Sequence, residues 1–216
     1  MENKIENNVV VAVLLATYNQ EKYIGAALNS VVTQDYRPLR IVICDDGSTD
    51  KTIKKAEQLI SSLGITSRGI DFVFDISEKN MGIVHNVNKI FLHLLDCKYM
   101  VLFAGDDLMS KNRIAAQVTH LEGNPNAVAS LGMVEIFGEH MAPIIYTARL
   151  FKKNVTLTKA LIAQNHTPSS ALMVNLDKAR NIQFDRRLFM VNDWLYFLEI
   201  LELGKIESLP QVVVRY

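Results

Sequence analysis

The feature that most constrains the fold is a short apolar run, residues 41–44, which breaks abruptly into the polar sequence DDGSTD of residues 45–50. Four apolar, mostly β-branched residues are too few for a helix, and apolar side chains on both faces are typical of a strand in a covered parallel sheet. Gly47 lets the chain turn, and one of the three residues after it can cap a following helix. Because ligands bind where the strands of such sheets end, Asp45 and Asp46 are predicted to face a crevice.

Strands and helices alternate through the first half of the sequence. Apolar runs predict the strands, and apolar residues at helical spacing predict the helices between them. The predicted strands are residues 9–16, 41–44, 70–74 and 99–103, and the predicted helices are about 21–33, 52–63 and 84–94. This order is the signature of a parallel α/β sheet with right-handed crossovers. The strand at 99–103, like the one at 41–44, is followed by paired carboxylates, Asp106 and Asp107.

The second half of the sequence is less regular. Its predicted elements are a helix at about 111–121, one or two strands in 127–137, a loop or hairpin over the crevice at 139–153, a short helix at 158–164, a strand at 170–174, a helix at 193–203 and a last strand at 212–216. No linker, internal repeat or low-complexity segment divides the chain. A single domain over residues 1–216 is therefore predicted.

Composition excludes several classes of protein. The 216 residues carry 23 basic and 23 acidic side chains, so the protein has no net positive charge that would attract it to nucleic acid. No apolar run approaches the roughly 18 residues that span a bilayer, so no transmembrane segment is predicted. Cys44 and Cys97 lie in or beside apolar runs without metal-binding spacing, which predicts buried free thiols. Free thiols favour a reducing, cytoplasmic setting, which is compatible with peripheral attachment to the inner face of a membrane.

The absence of several motifs narrows the chemistry to acidic residues. P-loop, dinucleotide-binding, hydrolase-elbow and zinc-protease motifs are all missing from the sequence. Asp106 and Asp107 at a strand end suit Mg²⁺ or Mn²⁺, which takes one or two protein carboxylates and completes its shell with water and phosphate. The same pair, like Asp45 and Asp46, is equally compatible with a turn or a helix cap. Asp193 is likewise compatible with a favourable charge at a helix start.

Taken together, these motifs occur in an order that resembles the family 2 glycosyltransferases of the GT-A fold, over about residues 9–216. The matching segments are 17–19 (TYN), 28–34 (LNSVVTQ), 44–50 (CDDGSTD), 80–88 (NMGIVHNVN), 105–107 (GDD) and 192–194 (NDW). Their combined order is more specific than any single segment. The resemblance implies an α/β, Rossmann-like fold with a mostly parallel central sheet flanked by helices. It also implies that residues 9–107 hold the donor and residues 108–216 shape the acceptor site.

The resemblance also implies an activity and a set of site residues. The activity is the inverting transfer of a sugar from a nucleoside-diphosphate donor, with a UDP-sugar favoured, to a saccharide or lipid-linked saccharide in surface polysaccharide or glycoconjugate synthesis. The implied donor-binding residues are Thr17, Tyr18, Asn19, Asp45, Asp46, Gly82 and Asp106. Asp107, together with Asp106, would bind Mn²⁺ or Mg²⁺ through the donor diphosphate. Asp193 would be the general base that deprotonates the acceptor hydroxyl.

The sequence departs from the family pattern at three places. Ala104-Gly105 stand where the family often has a further Asp, Val87 replaces a usual Arg, and Asn192 replaces a usual Glu. The sequence also stops where the family commonly continues, which predicts a chain truncated at its C-terminus. Two alternative functions remain. One is a non-catalytic nucleotide- or sugar-binding module of the same fold, and the other is a phosphate-handling domain of the nucleotidyltransferase or receiver type.

Overall fold

The computed structural model describes residues 9–64, 69–138, 141–145, 169–188 and 192–216. Its strands are β1 (Val11–Thr17), β2 (Leu39–Asp45), β3 (Ile70–Ile76), β4 (Tyr99–Ala104), β5 (Leu108–Met109), β6 (Ala127–Gly138), β7 (Met141–Ile145), β8 (Leu172–Asn175) and β9 (Lys205–Arg215). Its α-helices are α1 (Ile24–Val32), α2 (Thr52–Ser62), α3 (Ile83–Lys89), α4 (Arg113–Glu122), α5 (Leu176–Ala179) and α6 (Asn192–Leu203). Two 3₁₀ turns, Ile90–His93 and Ser169–Ala171, follow α3 and precede β8.

The described strands form one mixed sheet in the order β3-β2-β1-β4-β8-β6-β9-β5, and β7 pairs with β6. The first four strands of this order run parallel to one another. β8 is antiparallel to both of its neighbours, whereas β6 and β9 are parallel to each other. The parallel first half and its intervening helices confirm the fold class that the sequence predicted.

The apolar runs of the sequence form a core that is covered on both faces of the sheet. Leu14 of β1, Val42 of β2 and Val101 of β4 are fully buried, because the central strands have helices on each side. Cys44 and Cys97 are buried and free, as predicted. The sheet therefore provides a rigid support for the loops at its edge.

The structure differs from the sequence prediction mainly in the second half. β9 begins at Lys205 and not at 212, and the short β5 and α5 were not predicted. A loop or hairpin was predicted for 139–153, and the described part of this segment is β7, which pairs antiparallel with β6. The helix predicted at 158–164 lies outside the described residues. No helix among the described residues is both long and apolar enough to cross a bilayer.

Candidate active site

The ends of three parallel strands bring the predicted donor residues to one edge of the sheet. Thr17, at the end of β1, lies directly beside Asp45, at the end of β2. β4 lies on the other side of β1 and ends at Ala104, two residues before Asp106. Because the carboxyl ends of parallel strands share an edge, the loops that follow these strands meet there.

The turn after β2 is held together by two of the predicted site residues. The Asp45 carboxylate, which is 1% exposed, accepts hydrogen bonds from Ser48 N at 2.7 Å and Ser48 Oγ at 2.5 Å. Asn19 Oδ1 accepts from Thr49 N at 2.9 Å, and Asn19 N donates to Ser48 Oγ at 2.8 Å. In this structure Asp45 and Asn19 therefore fix the turn, and their direct contact with a donor stays a prediction.

Asp46 ties the loop before α3 to the edge of the sheet. Its carboxylate oxygens accept hydrogen bonds from Met81 N and Gly82 N, both at 2.8 Å, and its own main-chain N donates to Thr17 O at 3.0 Å. The main chain of Lys79 passes so close to Gly47 that an added Cβ would lie 2.6 Å from the Lys79 carbonyl carbon. Gly82 is thus placed at the edge by Asp46, as part of one connected set of loops.

The loop that carries the acidic pair packs against the loop after β1. Thr17 Oγ1 donates to Gln20 Oε1 at 2.9 Å, and an added Cβ at Gly105 would approach Thr17 Oγ1 to 3.0 Å. The added Cβ would come still closer to Gln20 Oε1, so a larger residue at position 105 would have to displace the Gln20 and Thr17 side chains. Tyr18, in contrast, is 43% exposed and offers an aromatic face at this edge.

A cavity of about 370 Å³ opens beside these loops. Strands β1 and β4 and helix α3 supply its apolar wall, and its polar lining residues are Asp107, Ser169, Ser170, Asp193 and Tyr216. Burial raises the pKa of Tyr216, and the charges of Asp107, Asp106 and Asp193 raise it further. Asp107 and Asp193, which are far apart in sequence, therefore line one cavity together with Tyr216, and the charge of Asp106 also acts on the Tyr216 hydroxyl.

Asp107 is the most perturbed carboxyl group in the cavity. It is only 4% exposed, and burial, followed by the charge of Asp106, raises its pKa to about 6. The hydroxyl of Ser170 and the guanidinium of Arg113 act in the opposite direction. Asp107 Oδ2 is buried and has no hydrogen-bond partner among the described residues.

These properties fit a divalent cation. A buried carboxylate with an unpartnered oxygen, next to the exposed Asp106, gains stability when a cation neutralises its charge. No cluster of three or more metal-ligating side chains occurs in the described part of the chain. Mg²⁺ and Mn²⁺ do not need such a cluster when a substrate diphosphate supplies further oxygen ligands. Asp107 and Asp106 are therefore the residues that would hold the cation.

Asp193 lies in the first turn of α6, where the sequence predicted it. Its Oδ1 accepts a hydrogen bond from Trp194 N at 2.9 Å, and the side chain is partly exposed to the cavity. The N-terminus of a helix is a favourable place for an acidic side chain. The hydrogen bond from Trp194 N orients the carboxylate, which can also accept a proton from a group in the cavity.

Three residues around the cavity were not identified from the sequence. They are Arg113, Ser170 and Tyr216. Arg113 resembles a surface charge at a helix start, but it is 0% exposed. Its i, i+4 spacing from Gln117 and i, i+8 spacing from Leu121 places it on the buried face of α4, and this is the signal that could have revealed it. No comparable motif marks Ser170 or Tyr216.

Known proteins share both the sequence pattern and the fold. The model of the family described as "Glycosyl transferase family 2" matches residues 12–174. An uncharacterized glycosyltransferase of Haemophilus influenzae is 28% identical, over 98% of this chain and 66% of its own length. The poly(ribitol-phosphate) beta-N-acetylglucosaminyltransferase TarS of Staphylococcus aureus is 23% identical, over 87% of this chain and 32% of its own length. The chain thus spans about two thirds or less of the length of these relatives.

Solved structures support the same fold. TarS 1–349 in complex with UDP-GlcNAc superposes with a TM-score of 0.77 at 20% identity, covering 96% of this chain and 58% of that one. The mannosyltransferase PcManGT from Pyrobaculum calidifontis, in complex with GDP-Man and Mn²⁺, gives a TM-score of 0.70 at 18% identity, covering 95% and 56%. At these identities the likeness shows a GT-A-like fold, as the sequence predicted.

Proposed function

Because the chain belongs to the family 2 glycosyltransferases, which are enzymes that transfer glycosyl groups, we propose that it is a metal-dependent, inverting glycosyltransferase with a nucleoside-diphosphate sugar donor. The observation that carries the proposal is the shared cavity of Asp107 and Asp193. It places a cation-binding carboxylate and a candidate base on different elements around one space. Family membership also sets aside the two alternatives, a non-catalytic binding module and a phosphate-handling domain.

The donor side of the reaction is assigned to the strand edge. Tyr18 presents an exposed ring on which a nucleoside base can stack, and Thr17 and Asp46 lie beside it. Asp107 and Asp106 hold Mn²⁺ or Mg²⁺, which, when bound, neutralises the charge that develops on the leaving diphosphate. The TarS complex with UDP-GlcNAc and the PcManGT complex with GDP-Man and Mn²⁺ support donors of this class, and a UDP-sugar is favoured.

The acceptor side is assigned to the second half of the chain. Asp193 accepts the proton of an acceptor hydroxyl as the hydroxyl attacks the anomeric carbon, and one displacement inverts that centre. A carboxylate suits this role because the oxocarbenium-like transition state develops positive charge near it. The acceptor is proposed to be a saccharide or a lipid-linked saccharide, in the synthesis of a surface polysaccharide or glycoconjugate.

Thermal unfolding with a panel of nucleotides tests this proposal. UDP, GDP, dTDP and CMP are each added with and without Mn²⁺, since a ligand that binds only the folded state raises the melting temperature. We expect UDP to raise it in the presence of Mn²⁺, and the increment to be lost in Asp107→Asn. No increment with any nucleotide, or increments that ignore Mn²⁺, would contradict metal-dependent donor binding.

Turnover is then measured with the matching nucleotide sugars. Slow hydrolysis of the donor, followed as release of the nucleoside diphosphate, does not require the acceptor to be known. The anomeric configuration of a transferred sugar, read by NMR once an acceptor is found, distinguishes inversion from retention.

A further inference from the structure

Side chains of helix α4 hold the 3₁₀ turn Ser169–Ala171, which contributes to the lining of the cavity. Arg113, which is fully buried, donates from Nε to Gln117 Oε1 at 2.9 Å and from Nη2 to Leu172 O at 3.4 Å. Gln117 Nε2 donates in turn to Ala171 O at 3.2 Å. The two residues that follow Ser170 are therefore fixed to α4, and Ser170 itself is held at a defined place beneath the cavity.

Three buried polar atoms in this region have no hydrogen-bond partner in the part of the chain that the structure describes. They are Asp107 Oδ2, Ser170 Oγ and Arg113 Nη1. Buried polar groups are nearly always paired, so an unpaired set in one place requires an explanation. Asp107 and Ser170 both line the cavity, and Ser170 and Arg113 both act to lower the pKa of Asp107, but Ser170 Oγ makes no hydrogen bond within the described part of the chain.

The chemistry of the three atoms is complementary. A carboxylate oxygen only accepts hydrogen bonds, whereas a serine hydroxyl can donate one by rotating its side chain. Arg113 Nη1 is a second donor without a partner among the described residues, but the guanidinium is anchored through Nε to Gln117 and through Nη2 to the main chain. The Ser170 hydroxyl needs only a rotation of its own side chain to donate, so it is the more adaptable of the two donors.

We propose that Ser170 is a positioning residue for Asp107: its hydroxyl donates to the buried Oδ2 and leaves the other carboxylate oxygen directed at the cation in the cavity. This inference rests on the proposed function. It matters because Ala104 and Gly105 occupy positions where the family often has a further carboxylate. With fewer acidic ligands, binding depends more on how well Asp107 is oriented.

The expected loss of Mn²⁺ affinity on removal of the Ser170 hydroxyl can be estimated from metal sites in other proteins. Groups that orient a ligating carboxylate typically change metal affinity 10- to 100-fold, roughly, when they are removed. Ser170→Ala removes only the hydroxyl, whose oxygen has no hydrogen-bond partner among the described residues. We therefore expect about a tenfold or larger increase in the Mn²⁺ concentration for half-saturation, with an unchanged melting temperature of the metal-free protein.

Ser130→Ala is the matched control. Ser130 is also fully buried, but its hydroxyl is paired with His120 Nδ1 at 3.0 Å and lies on β6, outside the cavity lining. It should lower the melting temperature and leave Mn²⁺ binding unchanged, which is the reverse of the pattern expected for Ser170→Ala. Ser170→Thr keeps a hydroxyl and should restore Mn²⁺ affinity.

The experiment titrates Mn²⁺ into wild-type and variant protein in the presence of UDP, and follows free Mn²⁺ by electron paramagnetic resonance. Thermal unfolding of the same samples in EDTA reports stability separately. If Ser170→Ala binds Mn²⁺ as tightly as wild type, the inference about Ser170 is wrong, while the proposed function stands. The inference is also wrong if Ser170→Ala and Ser130→Ala both lose Mn²⁺ affinity in proportion to their loss of stability. Failure of the wild type to bind Mn²⁺ would instead overturn the proposed metal use itself.

Discussion

The carboxylate of Asp107 lies close enough to the buried guanidinium of Arg113 for the two charges to stabilise each other. Arg113 lowers the pKa of Asp107, and Asp107 raises the pKa of Arg113. Burial acts against both charges and is the larger effect. It raises the pKa of Asp107 to about 6 and lowers the pKa of Arg113 to about 9. Without a bound cation, the charge of Asp107 is therefore only partly compensated.

This relationship predicts that Asp107→Asn stabilises the metal-free protein at neutral pH. Because the folded-state pKa is raised, the folded protein binds the proton more tightly than the unfolded chain, and the free energy of unfolding falls as pH rises from about 4 to 6. The penalty is complete above about pH 6 and amounts to about 3 kcal/mol, a value that already includes the attraction of Arg113. The melting temperature in EDTA should be higher for Asp107→Asn at pH 7.5 and equal to wild type near pH 4.

Glu57→Gln is the control for that experiment, because Glu57 is an exposed carboxylate on α2. The melting temperature of Glu57→Gln should stay close to that of wild type. If Asp107→Asn and wild type instead keep the same difference from pH 4 to 7.5, Asp107 does not carry the burial penalty.

Asp193→Asn should abolish sugar transfer and leave donor binding nearly intact. The amide keeps the shape of the side chain, and its oxygen can still accept from Trp194 N, but it cannot take a proton from the acceptor. Loss of a general base lowers kcat by about 10² to 10⁴. Transfer rates and the thermal shift with UDP and Mn²⁺ measure the two effects separately.

Glu202→Gln, an exposed change on the same helix, provides the comparison for Asp193→Asn. It should transfer sugar at the wild-type rate. Retained transfer in Asp193→Asn would refute the base assignment, and loss of the UDP shift would mean that Asp193 acts in donor binding.

Gly47→Ala and Gly82→Ala should differ in stability although both glycines have positive φ, +75° and +91°. A positive φ costs a non-glycine residue about 1–3 kcal/mol at either site, and Gly82, with ψ 154°, lies in a region that is almost confined to glycine. At Gly47 the new Cβ would also meet the Lys79 main chain at 2.6 Å, whereas at Gly82 no atom of the described residues, its chain neighbours aside, lies within 4 Å. Urea unfolding should show the larger loss for Gly47→Ala, and equal losses would mean that the Lys79 segment moves aside without cost.

Most of the first half of the fold could be predicted because its signals are local. The strand at 41–44 needed only its buried apolar run, and Asp50, one of the three predicted capping residues, does accept a hydrogen bond from Thr52 N at the start of α2. β9 was predicted too short because its first half alternates polar and apolar residues and contains Pro210. That proline lies where the pairing of β6 with β9 changes register, and only the long-range pairing reveals it.

The site was predictable to the extent that motifs mark it. Asp107 and Asp193 were found from strand and helix ends, and the structure places both in one cavity. The hydrogen bonds of Asp45 to Ser48 were not predicted, because a carboxylate in a turn and one that faces a ligand have the same local sequence. Ser170 depends on packing between α4 and the turn before β8, which no sequence spacing encodes. The spacing of Arg113 on α4 indicates that it is buried, but not that it contacts Leu172 O.

Asp46→Asn should release the loop that begins α3. The carboxylate accepts from Met81 N and Gly82 N, and hydrogen bonds to a charged group contribute about 1.5–3 kcal/mol each. The amide retains one acceptor oxygen, so one of the two bonds is lost. Gly82 N also has Asn80 Oδ1 at 3.0 Å, whereas Met81 N depends on Asp46.

Amide hydrogen exchange measures this prediction residue by residue. In Asp46→Asn the exchange of Met81 should accelerate more than that of Gly82, because an unpartnered amide opens to solvent at lower free energy. The affinity for UDP should fall at the same time, since the loop that carries Gly82 borders the proposed donor site. Asp71→Asn, a change on the exposed side of β3, should alter neither quantity. Unchanged exchange at Met81 together with weakened UDP binding would show that Asp46 contacts the donor directly and does not act through the loop.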